Sequence, residues 1–332
     1  MQVLHFHAEH GNFGDDLNAT LWERVLSPKV WDVPDVVLVG IGTILNDDRL
    51  NAQTVGDARV FILGSGAGYG RLCTPQILQK AEILAVRGPL TAALVGKPQS
   101  AATDGAALLA TLPECQPIER AGQAAFIPHI SSALTGDWEK ACQIADVDYI
   151  DPRWAVDKVI AAIRRSKLII TEAMHGAILS DTLRVPWVPV VTSSKILDLK
   201  WHDWTRSLDL RYEPHTLTPT RTKQALVLLR NRSRAGAKSG QSTLAPTNEA
   251  LLADFQARYG DKARAVKAPA RSRDRPGLDR ALAVFDPVVT VSTGRAIAKL
   301  KNARPYLSAD PVFAARLQQL QDAVGRFEQA VL

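Results

Sequence analysis

The stretch Ile169-Ile170-Thr171-Glu172-Ala173-Met174-His175-Gly176-Ala177-Ile178 decides how the rest of the chain reads. A short apolar, β-branched run over 168–171 predicts a buried strand. A polar turn ends it, and a helix over 177–183 follows His175-Gly176. Parallel strands need a crossover between them, so strand, turn and helix in this order are the repeating unit of a parallel α/β sheet.

The same alternation extends in both directions. Residues 124–128, 146–150 and 187–191 predict strands. Residues 138–145 and 155–166 predict helices, the second with Val156, Val159, Ile160 and Ile163 on one stripe. The first third repeats the pattern, with strands at 3–7, 35–40, 60–64 and 83–86 and helices at 17–26 and 89–95. Pro89 sits early in its helix, where a missing N–H is harmless. The Pro- and Glu-bearing stretch 112–122 separates two α/β halves, giving domains over 1–115 and 120–220. Beyond Thr220 the character changes to a basic, mainly helical extension over 221–332. It has a helix at 224–230, Gly/Ser/Ala-rich basic stretches at 233–247 and 265–276, and a closing amphipathic helix at 311–331.

With 332 residues, 46% hydrophobic and 22% charged, the chain can fill two cores and is not a disordered protein. Cys73, Cys115 and Cys142 show neither metal-ligand nor disulfide-framework spacing. The start Met-Gln-Val-Leu-His-Phe-His lacks the pattern of a secretory leader, and the apolar runs are strand-length, so a cytoplasmic protein is expected. Between Arg221 and Arg304 there are 18 Lys and Arg against 6 Asp and Glu, an excess of +12 that leaves −6 for the remainder. Either this part meets an anionic surface, such as the inner membrane face, or it is a solvated basic face.

Ligands of parallel α/β domains bind beyond the carboxyl ends of the strands, so the candidate residues are sought there. Gly11-Asn12-Phe13-Gly14-Asp15-Asp16 follows the first strand; Asn12, Asp15 and Asp16 either line a site or cap a helix. Gly64-Ser65-Gly66 offers backbone amides to an anion, or is a turn that needs glycine. Arg87 ends a strand beside a helix start and suits a phosphate or carboxylate, a surface ion pair being the other reading. Asp104 is placed to function or to cap. His175, beside Gly176 at a helix N-terminus, suits a neutral base that Glu172 would orient or tune, a satisfied structural histidine being the other reading. His129 stands at the first strand end of the second half, and Lys195 follows the strand at 187–191 as a further anion ligand. His5, His7 and His10 are read as structural or substrate-lining, and no metal site is expected.

In this order the motifs resemble the polysaccharide pyruvyl transferase family, its exopolysaccharide ketal transferases in particular. They are Gly11-Asn12-Phe13-Gly14-Asp15-Asp16-Leu17-Asn18, Gly64-Ser65-Gly66, Arg87-Gly88-Pro89-Leu90-Thr91, Thr103-Asp104-Gly105-Ala106, Pro128-His129 and His175-Gly176-Ala177-Ile178. The resemblance implies a GT-B-like pair of Rossmann-like domains facing a cleft that binds phosphoenolpyruvate. It implies no cofactor, and a sugar acceptor, expected on a lipid-diphosphate carrier. It makes Arg87 the donor's ligand and His175 the key histidine, so that His175→Ala and Arg87→Ala should stop turnover and spare the fold. Many family members carry a basic or hydrophobic residue before the His-Gly pair, as in Arg-Leu-His-Gly, where this chain has Ala173-Met174; Lys195 or Arg153 would then stand in for the missing Arg toward the donor in the second half. Two other classes share parts of the pattern: a GT-B nucleotide-sugar glycosyltransferase and a non-catalytic carbohydrate- or membrane-binding scaffold. The basic stretch lacks the interleaved aromatics of nucleic-acid binding.

Overall fold

The computed structural model describes residues 1–5, 9–193, 197–236, 246–260 and 276–332. Its first half comprises β1 (Gln2–Leu4), α1 (Phe13–Asp16), α2 (Asn18–Val25), β2 (Val36–Val39), α3 (Ala52–Val55), β3 (Arg59–Leu63), α4 (Pro75–Lys80), β4 (Ala81–Ala85) and α5 (Pro89–Leu94). A 3₁₀ helix, Gly105–Thr111, follows. The strands form one parallel sheet in the order β1-β2-β3-β4. All four residues of β2 are buried, as expected of a parallel strand covered on both faces.

The second half comprises β5 (Ala124–Ile127), α6 (Ile130–Ala133), α7 (Trp138–Ala145), β6 (Asp148–Tyr149), α8 (Val156–Arg165), β7 (Leu168–Thr171), α9 (Met174–Thr182), β8 (Trp187–Val191), α10 (Asp198–Ser207) and β9 (His215–Thr216). Its parallel sheet has the order β6-β5-β7-β8-β9. The chain steps outward from β5 to β6 and then returns past β5 to β7, so the strand order reverses between β5 and β7.

Two of the differences from the sequence expectation bear on the site. The helix after β7 starts at Met174 rather than 177, because Thr171 Oγ1 accepts from Ala173 N at 3.0 Å and turns the chain at once. His175 and Gly176 therefore lie inside its first turn. Helix α10 was not expected at all. It buries Leu199, Lys200, Trp201, His202, Asp203 and Trp204 alike, and so shows no apolar stripe.

The tail contains α11 (Thr222–Gly236), α12 (Asn248–Tyr259), α13 (Pro276–Ala283), α14 (Asp286–Leu300) and α15 (Asp310–Val331). Its last two helices go to different halves. Helix α14 lies so close on α7 that a β-carbon on Gly294 would stand 2.8 Å from Ala141 O. Helix α15 covers the first sheet, with Phe327 edge-on to Phe61 at 5.1 Å and 83°. A continuous apolar core runs from Leu38 and Phe61 through Leu108 and Ile178 to Phe313, Leu320 and Phe327. Helix α10 crosses as well, packing on α5 of the first half. The three cysteines are free and buried. No helix among the described residues is long and apolar enough to cross a membrane.

Candidate active site

Where strand order reverses in an open parallel sheet, the loops leaving two neighbouring strands diverge and a crevice opens. In the second sheet this point lies between β5 and β7, which pair through Ile127 and Thr171 at their carboxyl ends. Strand β5 leads directly to His129, and β7 leads through Thr171 to His175. The first half closes the crevice from the other side. Phe13 N donates to Pro152 O at 3.0 Å, which seats the 11–16 loop on the second half. A β-carbon built on Gly14 would lie 2.0 Å from His175 Nδ1. The glycine is needed there because the imidazole occupies the space a side chain would fill.

A cavity of about 230 Å³ remains between the halves. The first half lines it with Asn12, Asp15, Thr43, Arg49 and Tyr69, the second with His129, Met174 and His175, and α10 adds Lys200. Burial, then the positive charges of Lys200 and Arg87, push His175 down to about 3. Burial and Lys200 likewise push His129 down to about 4. Both rings are neutral near pH 7, and His175 Nε2 is buried without a hydrogen-bond partner in the protein. Lys200 is only 8% exposed, and its ammonium lies 4.9 Å from the centroid of the Tyr69 ring. Burial and Arg87 push its pKa down to about 8, against the pull of Asp15. Burial raises the Asp15 carboxyl, while a hydrogen bond from Asn12 and the charges of Lys200 and Arg49 oppose that rise. Two cations against one carboxylate, beside two uncharged imidazoles, suit an anionic substrate whose reaction moves protons.

A family model described as polysaccharide pyruvyl transferase matches residues 118–194, a span that holds β5, β7, His129 and His175. The chain is also similar to the succinoglycan biosynthesis protein ExoV of Rhizobium meliloti (strain 1021), at 36% identity over 323 residues, covering 97% of this chain and 96% of that protein. The chain belongs to the polysaccharide pyruvyl transferase family. It is accordingly a transferase enzyme.

In this pyruvyl transferase the expected site residues divide sharply. Asn12, Asp15, His129 and His175 converge on the cavity. Asp16 works within its loop, where its Oδ2 accepts from Asn12 N at 2.9 Å. Arg87 corrects the expectation of a guanidinium open to the donor, because it is fully buried. Its Nε donates to Asp203 Oδ2 at 3.2 Å, its Nη2 to Ala67 O at 2.6 Å and its Nη1 to Thr43 Oγ1 at 3.3 Å. Gly66 packs flat on that guanidinium, where a β-carbon would lie 2.2 Å from Cζ. The amides of Gly64 and Gly66 are not offered to a ligand either: they donate to Ala85 O and Gly42 O, both at 2.9 Å. Ser65 is buried, its hydroxyl donating to Gly42 O.

Asp104 is fully buried and caps the 3₁₀ helix through Ala106 N, with burial pushing its carboxyl up to about 6. Glu172 does not orient His175. Its carboxylate accepts from His129 N at 3.1 Å and Thr192 N at 2.9 Å, and so ties the loops after β5 and β8. Gly176 packs against the Thr171 hydroxyl. Arg153 is taken up by Asp151 at 2.8 Å. Lys195 and His7 lie outside the described residues. Among the described residues, no group of three His, Cys, Asp or Glu side chains is placed to hold a metal.

Sequence reading missed Thr43, Arg49, Tyr69 and above all Lys200 and Asp203. The last two stand three apart in Lys200-Trp201-His202-Asp203-Trp204, and charges set among tryptophans are the one local signal of their burial. Asp203 accepts from Leu90 N and Thr91 N, both at 2.9 Å, and from Thr91 Oγ1 at 2.6 Å. It thus caps α5 from the opposite half while pairing with Arg87.

Proposed function

We propose that this enzyme transfers pyruvate from phosphoenolpyruvate to two hydroxyls of one sugar in an exopolysaccharide repeat unit, closing a cyclic ketal. The observation that carries the reading is His175, whose Nε2 faces no protein partner at the wall of a cavity lined by Lys200 and Arg49. Family membership supplies the pyruvyl group, and the relative's role in succinoglycan biosynthesis supports an exopolysaccharide acceptor.

The donor carries a carboxylate and a phosphate, and the cationic side of the cavity suits both. The C2–C3 π bond of the donor opens in one step: its electron pair takes a proton at C3, which becomes the methyl carbon, while the oxygen of the first sugar hydroxyl bonds to C2. Neutral His175 relays the proton from that hydroxyl to C3. The second hydroxyl displaces phosphate from C2 and closes the ring, its proton leaving with the phosphate. One positioned acid–base group contributes on the order of 10²–10⁴-fold to such a reaction, the remainder coming from preorganised charge. Arg87 acts as a positioning residue, bracing Thr43 at the cavity wall. No cofactor is required, because the donor brings its own leaving group.

In this reading residues 1–115 and 120–220 are the two facing domains of a GT-B-like enzyme, and 221–332 is an extension to both. The acceptor is carried on a lipid diphosphate, and the enzyme works at the cytoplasmic membrane face; its buried free thiols accord with a reducing compartment.

Thermal-shift titration tests the donor. A ligand that binds only the native state raises the melting temperature. Phosphoenolpyruvate should raise it, and UDP- and GDP-sugars should not. A rise with a nucleotide sugar alone would replace this reading with glycosyl transfer.

A further inference from the structure

An apolar surface region lies at the junction of α11, α13 and α14. Val284 is 73% exposed, Val288 68%, Phe285 58% and Val227 52%, with Leu226 beside it on α11. Hydrogen bonds and ion pairs draw these helices together. Asp286 accepts from Thr222 N at 2.8 Å and Arg221 Nη1 at 3.0 Å, and Lys223 pairs with Asp279 at 2.7 Å. Arg221 Nε also donates to Thr135 O at 3.3 Å, which brings half-exposed Leu134 to the same region.

Leu134 directly follows α6, whose first residue, Ile130, lines the cavity. Four helical residues rise about 6 Å, so the region begins roughly one helical turn from the active site. Its charge is positive. Arg230 and Arg280 are exposed within about a turn of Val227 and Val284, and Arg295 is exposed two turns along α14 from Val288, while Asp279 and Asp286 are already engaged by Lys223 and Arg221.

We propose that this region docks the enzyme on the surface of an anionic phospholipid bilayer. Exposed valines and phenylalanine enter the boundary between head groups and acyl chains, and the surrounding arginines and lysines meet the head-group phosphates. A second copy of the chain is disfavoured as the occupant, since like charges would face each other. The inference names the surface that would carry the membrane contact proposed above, and it stands on these residues rather than on the choice of donor or acceptor.

Cosedimentation with vesicles of phosphatidylcholine, with and without phosphatidylglycerol, tests the assignment over a range of salt. The protein should bind only the phosphatidylglycerol vesicles and be released by salt. Phe285→Ser combined with Val288→Ser should release it too, with melting temperature and transfer to a detergent-soluble acceptor unchanged. Arg230→Glu combined with Arg280→Glu should lower binding by about fivefold or more per residue. Equal binding to both vesicle types, or wild-type binding by either double variant, would overturn the assignment. So would a dimer that the Phe285 and Val288 changes dissociate. Because soluble-acceptor transfer is read separately, a failure of docking is distinct from a failure of the pyruvyl-transfer reading.

Discussion

Gly14 and His175 meet across the two halves with no room for a side chain between them: a β-carbon on Gly14 would stand 2.4 Å from Cγ of the imidazole and 2.0 Å from Nδ1. The first half thereby fixes where the second half's histidine points. Gly14→Ala must displace either the ring or the 11–16 loop, and a misplacement near 1 Å costs about 10²-fold in rate. The expected result is a fall in kcat of about that size in protein that still melts cooperatively. Wild-type kcat in Gly14→Ala would show that the contact does not set the ring's position.

Arg87 and Asp203 form a fully buried ion pair between the halves. Removing one member of such a pair leaves the other charged and uncompensated, at about 3–5 kcal/mol. The Asp203 carboxylate keeps three other donors, so the lower end of that range is expected. Arg87→Ala should therefore lose stability and activity together, contrary to the sequence expectation of an inactive but intact fold. Urea denaturation decides the matter. An unchanged midpoint with lost turnover would return Arg87 to a direct role on the donor.

How much of this was legible in the sequence depended on whether a residue's burial left a pattern. The strands at 36–39 and 168–171 are continuous apolar runs, and α8 carries a clear stripe, so the α/β class and both halves could be read directly. His129 and His175 could be found because strand ends are where a parallel sheet exposes chemistry. Helix α10 could not, since a helix buried on all sides has no periodicity to detect. Arg87 could be located but its surroundings could not: its partner is 116 residues away, on a helix with no apolar periodicity. Nor could the sequence show that α14 and α15 would part to cover different halves.

Lys200 is the cation that α10 brings to the cavity, and no carboxylate lies within ion-pair distance of it among the described residues. If it holds the donor, Lys200→Met should raise KM for phosphoenolpyruvate by about 10–100-fold, the equivalent of one charge-assisted hydrogen bond. Burying an ammonium without an anionic partner is unfavourable, so the same change should also raise the melting temperature of the free enzyme. Lys200→Arg should recover part of the affinity. An unaltered KM in Lys200→Met would remove Lys200 from the donor site, whatever happens to the melting temperature.

The neutral histidines make stability depend on pH in a definite direction. An unfolded histidine titrates near 6.5, whereas His175 is held at about 3 and His129 at about 4. Between those values the unfolded chain takes up protons that the folded chain refuses, so stability falls as pH drops below the unfolded value. Each ring adds a slope of about 1.4 kcal/mol per pH unit in that window. Asp104, raised to about 6, acts with the opposite sign, because the folded carboxyl is the more readily protonated one. That contribution cancels when wild type is compared with a single histidine variant. From neutral pH to about pH 5, His175→Gln should therefore lose about 2 kcal/mol less stability than wild type. Urea titrations of both proteins across this range provide the measurement. Parallel stability curves would mean that His175 titrates normally in the fold and is not the enclosed neutral base the proposed proton transfer needs.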